Sequence, residues 1–258
     1  MKKWLPFTVS AMFVALSLAG LPVRGDAALL GPSPYLCFDR TGTSGLEPGY
    51  TGSCGTSDSP FAADANAGNF TYFHLETFED HLLNTPGVSA SAGGVTSVVF
   101  GPTIHDSVDG DDGTIDGSGL GGDSFFSSNG SAGITFSFNA GVLGALPTHV
   151  GIVWTDGGGT ISFEAFDENL NSLGTLFGNH ADGTFSGTTA EDRFYGAVNA
   201  GGISSIFIAN SGGGIEVDHL QYGLIGERGG SVPEPSTLGL FGVGLLGLGL
   251  FLRRGRKG

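Results

Sequence analysis

The run HDSVDGDDGTIDGSG, from His105 to Gly119, places five carboxylates within eleven residues: Asp106, Asp109, Asp111, Asp112 and Asp116. Oxygen donors at near-alternate positions in a glycine-bent loop are the set that a hard cation such as Ca²⁺ takes. The spacing is not that of an EF-hand. With Gly113 as the sixth position, the first and twelfth fall on Val108 and Gly119, where carboxylates are required. Two readings follow: a different kind of calcium loop on Asp109, Asp111, Asp112 and Asp116, or a solvated acidic loop.

Paired carboxylates are also what glycoside hydrolysis needs, one acid on each side of the scissile bond. Glu164, Asp167, Glu168, Glu191 and Asp192 are available for it, but acids are so abundant here that some pair always is. Strand alternation turns Glu164 outward, and Glu191-Asp192-Arg193 reads as a local ion cluster at the start of a strand. The six histidines show neither HExxH nor H-x-H spacing. No G-x-S-x-G elbow leads into a helix, since GISSIFIA leads into a strand, and no glycine run ends in Gly-Lys-Ser/Thr. His219, beside Asp218, reads as an edge residue of an apolar strand. Trp154 could stack on a sugar, but its inward strand position reads as core; Phe194, Tyr195 and Tyr222 are uncommitted. A body without enzymatic activity is expected.

The elements that must hold these residues are strands. ITFSFNA puts Ile134, Phe136 and Phe138 on one face, and VGIVWTD does the same with Val150, Ile152 and Trp154. GGGTISFEAFD sets Ile161, Phe163 and Ala165 against Glu164. GGISSIFIANSGGG and GGIEVDHLQYG read as the last two strands, with Ile206 and Ile208 inward in one and Ile215 and Val217 in the other. Recurrence every ten residues or so between glycine turns predicts an all-β fold, a single β-sandwich or jelly-roll domain over 70–226. Residues 28–69 read as an irregular segment rich in turn formers.

Charge narrows the partners. Between Ala28 and Gly226 two arginines, Arg40 and Arg193, face 22 acids, and there is no lysine. Such a body repels nucleic acid, which needs clustered Lys and Arg, and it attracts cations. The 20 phenylalanines supply enough apolar surface for a core, so the acidity does not imply disorder.

Both ends read as addresses. Lys2 and Lys3 precede an apolar stretch from Trp4 to Ala19, the layout of a secretory signal peptide, assigned here to residues 1–27. Signal peptidase and the Sec translocon are therefore expected partners. In the oxidising compartment beyond, Cys37 and Cys54 most simply form one disulfide, worth about 3 kcal/mol on chain-entropy grounds. At the other end, a linker over 227–232 precedes 17 uncharged residues, 236–252. As a helix they cover roughly 25 Å, just enough to span the hydrocarbon. Arg253, Arg254, Arg256 and Lys257 follow as a cytoplasmic basic stop, which leaves the body outside.

Val232-Pro233-Glu234-Pro235, the apolar helix and the Arg-rich end resemble, in that order, the PEP-CTERM sorting signal of Gram-negative bacteria, which also circulates as an ice-binding-protein C-terminal domain. The resemblance covers 232–258, and the sorting region is placed at 233–258. It implies recognition by a membrane-embedded exosortase and cleavage near Pro233, Glu234 and Pro235. The protein would be anchored in the inner membrane with its body in the periplasm, then released to the cell envelope or extracellular matrix. Two prolines stop the helix and present an extended segment at the membrane surface.

The order of LETFED, WTDGGGTISFEAFDENLNSLGTL and FYGAVNAGGISSIFIANSGGGIEVDHLQYG within 75–223 resembles β-sandwich modules similar to carbohydrate-binding jelly rolls. That likeness implies a structural Ca²⁺ joining Glu76 or Glu79, near the first strand, to Asp218 on the last. It also implies an exopolysaccharide partner. Rival expectations are a secreted carbohydrate-active enzyme and an inert matrix or ice-active surface.

Overall fold

The computed structural model describes residues 27–38, 58–101, 106–112, 115–184 and 187–225. The predicted signal peptide (apart from Ala27), Cys54, the linker and the whole sorting region lie outside the described residues. Among those described, ten strands form one antiparallel sheet. They are β1 (Ala28–Pro34), β2 (Phe70–Glu76), β3 (Val88–Ala90), β4 (Gly94–Val95), β5 (Phe125–Ser127), β6 (Ile134–Phe138), β7 (His149–Phe166), β8 (Ser172–Gly178), β9 (Arg193–Val198) and β10 (Ser205–Ile225). Helices are confined to short pieces such as α1 (Ala62–Asn66) and α2 (Thr96–Phe100). The all-β expectation holds.

Its form is set by two long strands. β7 has 18 residues and β10 has 21, and they pair antiparallel from His149↔Gly223 to Phe166↔Ser205. The two closing strands expected from the sequence are therefore one. Glycines explain why the chain bends without breaking the ladder. Gly157, Gly159 and Gly213 have positive φ (152°, 81° and 71°), and a Cβ on Gly158 would sit 2.9 Å from the Gly212 carbonyl oxygen. The Asn210 side-chain amide donates to the carbonyls of Gly158 (3.1 Å) and Gly214 (3.0 Å), satisfying groups that the bend takes out of register.

The bend divides the sheet in two. In the far half, residues 161–166 and 205–210 lie between β8 on one side and β6 and β3 on the other. In the near half, residues 149–157 and 215–225 are flanked by β9 and β1 on one side and by β5, β4 and β2 on the other. Both halves turn one face toward a shared core: Ile161, Phe163, Ile206 and Ile208 from the far half meet Ile152, Trp154, Val217 and Tyr222 from the near half. Each such apolar side chain contributes about 1.5–3 kcal/mol on burial. Every inward position predicted from alternation is buried, and Trp154 is core.

The near half has a second buried face. Phe73, Leu75, Val153 and Phe194 point away from the shared core and are covered by Tyr35, Phe38, Phe61, Ala62, Ala65 and Val108. Gly151 lies on this face because a Cβ there would meet the Phe194 ring at 2.2 Å. The segment expected to be irregular thus supplies a strand, a helix and half of a core. Residues 28–34 pair with β9 from Ala28↔Val198 to Pro34↔Arg193. Their two prolines and a glycine conceal a strand that, at the sheet edge, tolerates them.

A bulge in β10 makes the second face workable. Asp218 pairs with Val153 and Gln221 with Gly151, so two residues of β10 oppose one of β7. His219 sits there at φ 44°. Inward positions run Ile215, Val217, then Leu220 and Tyr222, a shift of one that strict alternation would not allow.

Candidate functional site

The loop 106–112 crosses the second face of the near half and is held there by acids of β10. Glu216 Oε2 accepts from the Asp106 N–H at 2.9 Å, and Asp218 Oδ2 accepts from the Val108 N–H at 2.9 Å. Those acids are two apart and share a face of the strand, while Val108 beside them fills an apolar gap. Gly110 N–H reaches the Leu36 carbonyl at 2.9 Å, closing the N-terminal segment over the loop.

Asp111, Asp218 and His219 converge here, with ligand atoms within 4.8 Å of one another. A chain of hydrogen bonds sets their states. Ser59 Oγ donates to Gln221 Oε1, and Gln221 Nε2 donates to the Tyr35 hydroxyl at 2.9 Å. The Tyr35 O–H then points to His219 Nδ1 (2.9 Å), which leaves the ring proton on Nε2 to be donated to Asp111 Oδ1 at 2.8 Å. Burial pushes His219 down to about 4, against the opposing pull of Asp218, so the ring is neutral at pH 7. His219 is an interior residue of a central strand, not the edge residue expected, and it orients Asp111.

Asp192, just before β9, projects onto the same face. It is fully buried, and neither carboxylate oxygen has a hydrogen-bond donor. Burial raises it well above the usual carboxylate range, and the neighbouring charges that add to this are Asp106, Asp218, Glu191 and Asp109. Asp218 is likewise raised by burial and then by Asp111. Asp106, with one oxygen also lacking a donor, is pushed up to about 9 by burial and by Asp156 and Glu216. Glu216 and Glu191 rise to about 7 and Asp156 to about 6, burial again leading. Arg193 is the one Lys or Arg among the described residues, and its Nη1 donates to the carbonyls of Ala190 and Asp192. Glu191-Asp192-Arg193 is therefore no closed ion cluster. Burying ionised carboxylates without counter-charge costs several kcal/mol each, so the group must hold protons or a cation.

The other acids singled out in the sequence lie elsewhere. Glu76 is buried in β2 and accepts from the N–H groups of Phe78, Asn84 and Thr85 and from the Thr85 hydroxyl. Glu79 Oε1 accepts from the Asp123 N–H. Neither joins the group around Asp218. Asp109 shapes its own loop, accepting from Asp116 N (3.1 Å), Gly117 N (2.8 Å) and Thr189 Oγ1 (3.2 Å). Asp116 takes the N–H of Ser118 in an exposed turn, and Asp112 ends a short 3₁₀ helix, Asp109–Asp112. Of the predicted calcium loop only Asp111 meets Asp218.

Of the acids weighed for hydrolysis, Glu191 and Asp192 belong to this buried group, while Glu164 and Asp167 lie apart from it. Asp167 accepts from Asn169 N and Asn171 N, tying the turn between β7 and β8, and Glu164 lies on the far half's outer face, in register with Thr175 and Phe207. A Ser97–His81–Asp123 constellation exists near α2, but Ser97 Oγ (3.0 Å) and Asp123 Oδ2 (2.5 Å) both approach His81 Nδ1. A nucleophile relay needs them on opposite ring nitrogens. Burial acts to raise Asp123, but hydrogen bonds from Ser97, His81 and Thr96 outweigh it and hold it low.

Sequence reasoning passed over Asp156 and Glu216 and gave Asp192 another role. One signal was available: the spacing Ile215-x-Val217-x-x-Leu220-x-Tyr222 breaks period two where Asp218 and His219 sit. Cys37 is buried and is not a free thiol, while Cys54 lies outside the described residues.

Among the described residues no helix is long and apolar enough to cross a membrane, and the predicted span 236–252 falls outside them. No curated protein and no solved structure matches the chain. One family model does, the PEP-CTERM protein-sorting motif, over residues 231–257. Those residues contain the Pro233-Glu234-Pro235 signal, the apolar stretch and the basic stop, so the chain carries a PEP-CTERM sorting motif, which supports an exosortase-targeted exported protein and implies a membrane anchor before processing.

Proposed function

We propose that the body of this exported protein is a non-catalytic binding or structural module that works at the cell envelope or in the extracellular matrix, in association with polysaccharide. The observation that carries this reading is the sorting motif at 231–257 joined to an acidic all-β body. Support for a non-catalytic body comes from two of the carboxylates weighed for hydrolysis: Asp167 ties a turn, and Glu164 lies on the outer face of the far half. The acidic body disfavours anionic polymers and nucleic acid, which leaves neutral or cationic polysaccharide as the compatible partner. An oxidising destination also suits a Cys37–Cys54 bridge, for which a reductant-dependent drop in unfolding temperature is the check.

The test has two arms. Expression beside an exosortase, followed by intact-mass measurement of the surface form, should show a C-terminus near Pro233-Glu234-Pro235 and loss of the apolar tail. Co-sedimentation with insoluble polysaccharides should then retain the mature protein. Polysaccharide turnover that disappears in Glu164→Gln or Asp167→Asn would defeat the non-catalytic reading, and failure to bind any polysaccharide would leave an inert matrix or ice-active role.

A further inference from the structure

From the geometry on the second face of the near half, we infer that Asp111 and Asp218 are ligands of one hard divalent cation, Ca²⁺, whose charge also answers the buried carboxylates Asp192 and Asp106 beside them. The site joins three parts of the chain that are far apart in sequence: the loop 106–112, the start of β9 and the bulge of β10. It does not depend on the polysaccharide reading.

Two independent observations meet here. The first is convergence: ligand atoms of Asp111 and Asp218 lie within 4.8 Å of each other, as donors on a single Ca²⁺ must, since Ca–O distances of 2.3–2.6 Å place them within about 5 Å. The second is Asp192, fully buried, with no hydrogen-bond donor to either oxygen and with Asp106 and Asp218 foremost among the charges it feels. A buried carboxylate whose neighbours are other carboxylates lacks the counter-charge that buried ions require. Arg193 does not supply it: no hydrogen bond joins it to either Asp192 oxygen, and it is absent from the charges that act on Asp192.

The donor chemistry selects the ion. All the proposed donors are carboxylate oxygens. His219, the one nitrogen close by, directs its Nε2 proton at Asp111, so that atom has no lone pair for a metal. It fixes the Asp111 carboxylate through the relay from Ser59, Gln221 and Tyr35, in the way outer-shell groups hold metal ligands. Zn²⁺ would call on that nitrogen. Mg²⁺ keeps several waters, which a fully buried Asp192 does not favour.

The test uses the full chain purified in detergent and stripped with EGTA. Unfolding temperature is read with chelator, with CaCl₂, with MgCl₂ and with ZnCl₂. Calcium at a hundredfold excess over its Kd should raise it by roughly 5–10 °C. Asp192→Asn should raise the unfolding temperature in chelator, because a neutral amide can donate to Asp106 and Asp218, and should abolish most of the calcium response. Glu164→Gln, on the far half, should keep the full response. No calcium response in the parent chain, a larger response to zinc than to calcium, or a full response in Asp192→Asn would each overturn the site. Should Asp192→Asn fail to fold, Tb³⁺ luminescence of the parent chain, reversed by calcium and lost in Asp111→Asn, supports the site; no Tb³⁺ binding overturns it.

Discussion

The far and near halves of the β7–β10 ribbon are built from the same two strands, yet they solve different problems. In the far half one face is core and the other is open: Ile161, Phe163 and Ala165 are fully buried while Ser162, Glu164 and Phe166 between them are only half-buried. In the near half residues 215–223 are buried without interruption, because a remote N-terminal segment and the loop 106–112 cover the second face. A half-solvated sheet face accepts any polar side chain. A face buried twice over must account for every polar atom it contains, and there Glu216, Asp218 and His219 acquire partners, neighbours and an electrostatic problem. The candidate chemistry lies where the sheet lost its contact with water, and of the acid-dense run 106–116 only the part that reaches that face takes part in it.

This contrast can be broken most severely at the bulge. Deleting Gln221, just past the bulge, makes Leu220 and Tyr222 consecutive, so that no register of β10 keeps both in the shared core. The body should then show no cooperative unfolding transition by circular dichroism, whereas Glu164→Gln in the far half should unfold like the parent. Next in size is Phe163→Ala, a packing loss of about 3–5 kcal/mol in urea denaturation. Because Phe163 belongs to the half without the acids, that loss should be the same in calcium and in EGTA.

Tyr35→Phe probes the relay on the second face. It leaves His219 Nδ1 and Gln221 Nε2 without their buried partner and should cost about 1–3 kcal/mol. Unlike Phe163→Ala, it should also weaken calcium binding in a titration, since the constraint on Asp111 is loosened. A calcium affinity unchanged by Tyr35→Phe would mean that His219 merely fills space.

The smallest effect concerns His149, at the start of β7 in the near half. Burial lowers it below the ordinary histidine value, with Asp64 pulling the other way, and the rings of Phe61 and Phe70 meet it edge-on at 5.4 and 5.3 Å. The unfolded chain therefore takes up a proton near pH 6.5 that the folded chain refuses. The stabilisation is present above pH 6.5 and declines as pH falls below it. Comparing urea midpoints at pH 7.5 and 5.5, His149→Gln should lose less stability than the parent. An equal loss in both would place the titration elsewhere.

Local patterns announced the far half. Ile134, Phe136 and Phe138, Ile161, Phe163 and Ala165, and Ile206 and Ile208 alternate within a few residues, and period two needs no distant information. The bend is half visible: GGG at 157–159 and 212–214 reads locally as a turn that ends a strand, although paired glycines let one strand bend and continue. β1 was concealed because its pairing with β9 spans more than 150 residues and its prolines argue locally against a strand. For the site, the sequence points to Asp111 and Asp218 separately, in different sets and with partners the fold sends elsewhere. Asp192 could not be recognised, since nothing in Glu191-Asp192-Arg193 reveals that the arginine turns to backbone carbonyls and leaves the aspartate buried among acids.

Composition, alternation and the closing motif by themselves determined that this is an acidic all-β protein bearing an export address, because those properties are local or summed along the chain. Which face of the sheet is covered twice, and which carboxylates lose water there, was decided only by tertiary structure. Desolvation depends on what lies opposite in space, and residues 35–38, 58–66 and 106–112 reach that face from far along the chain.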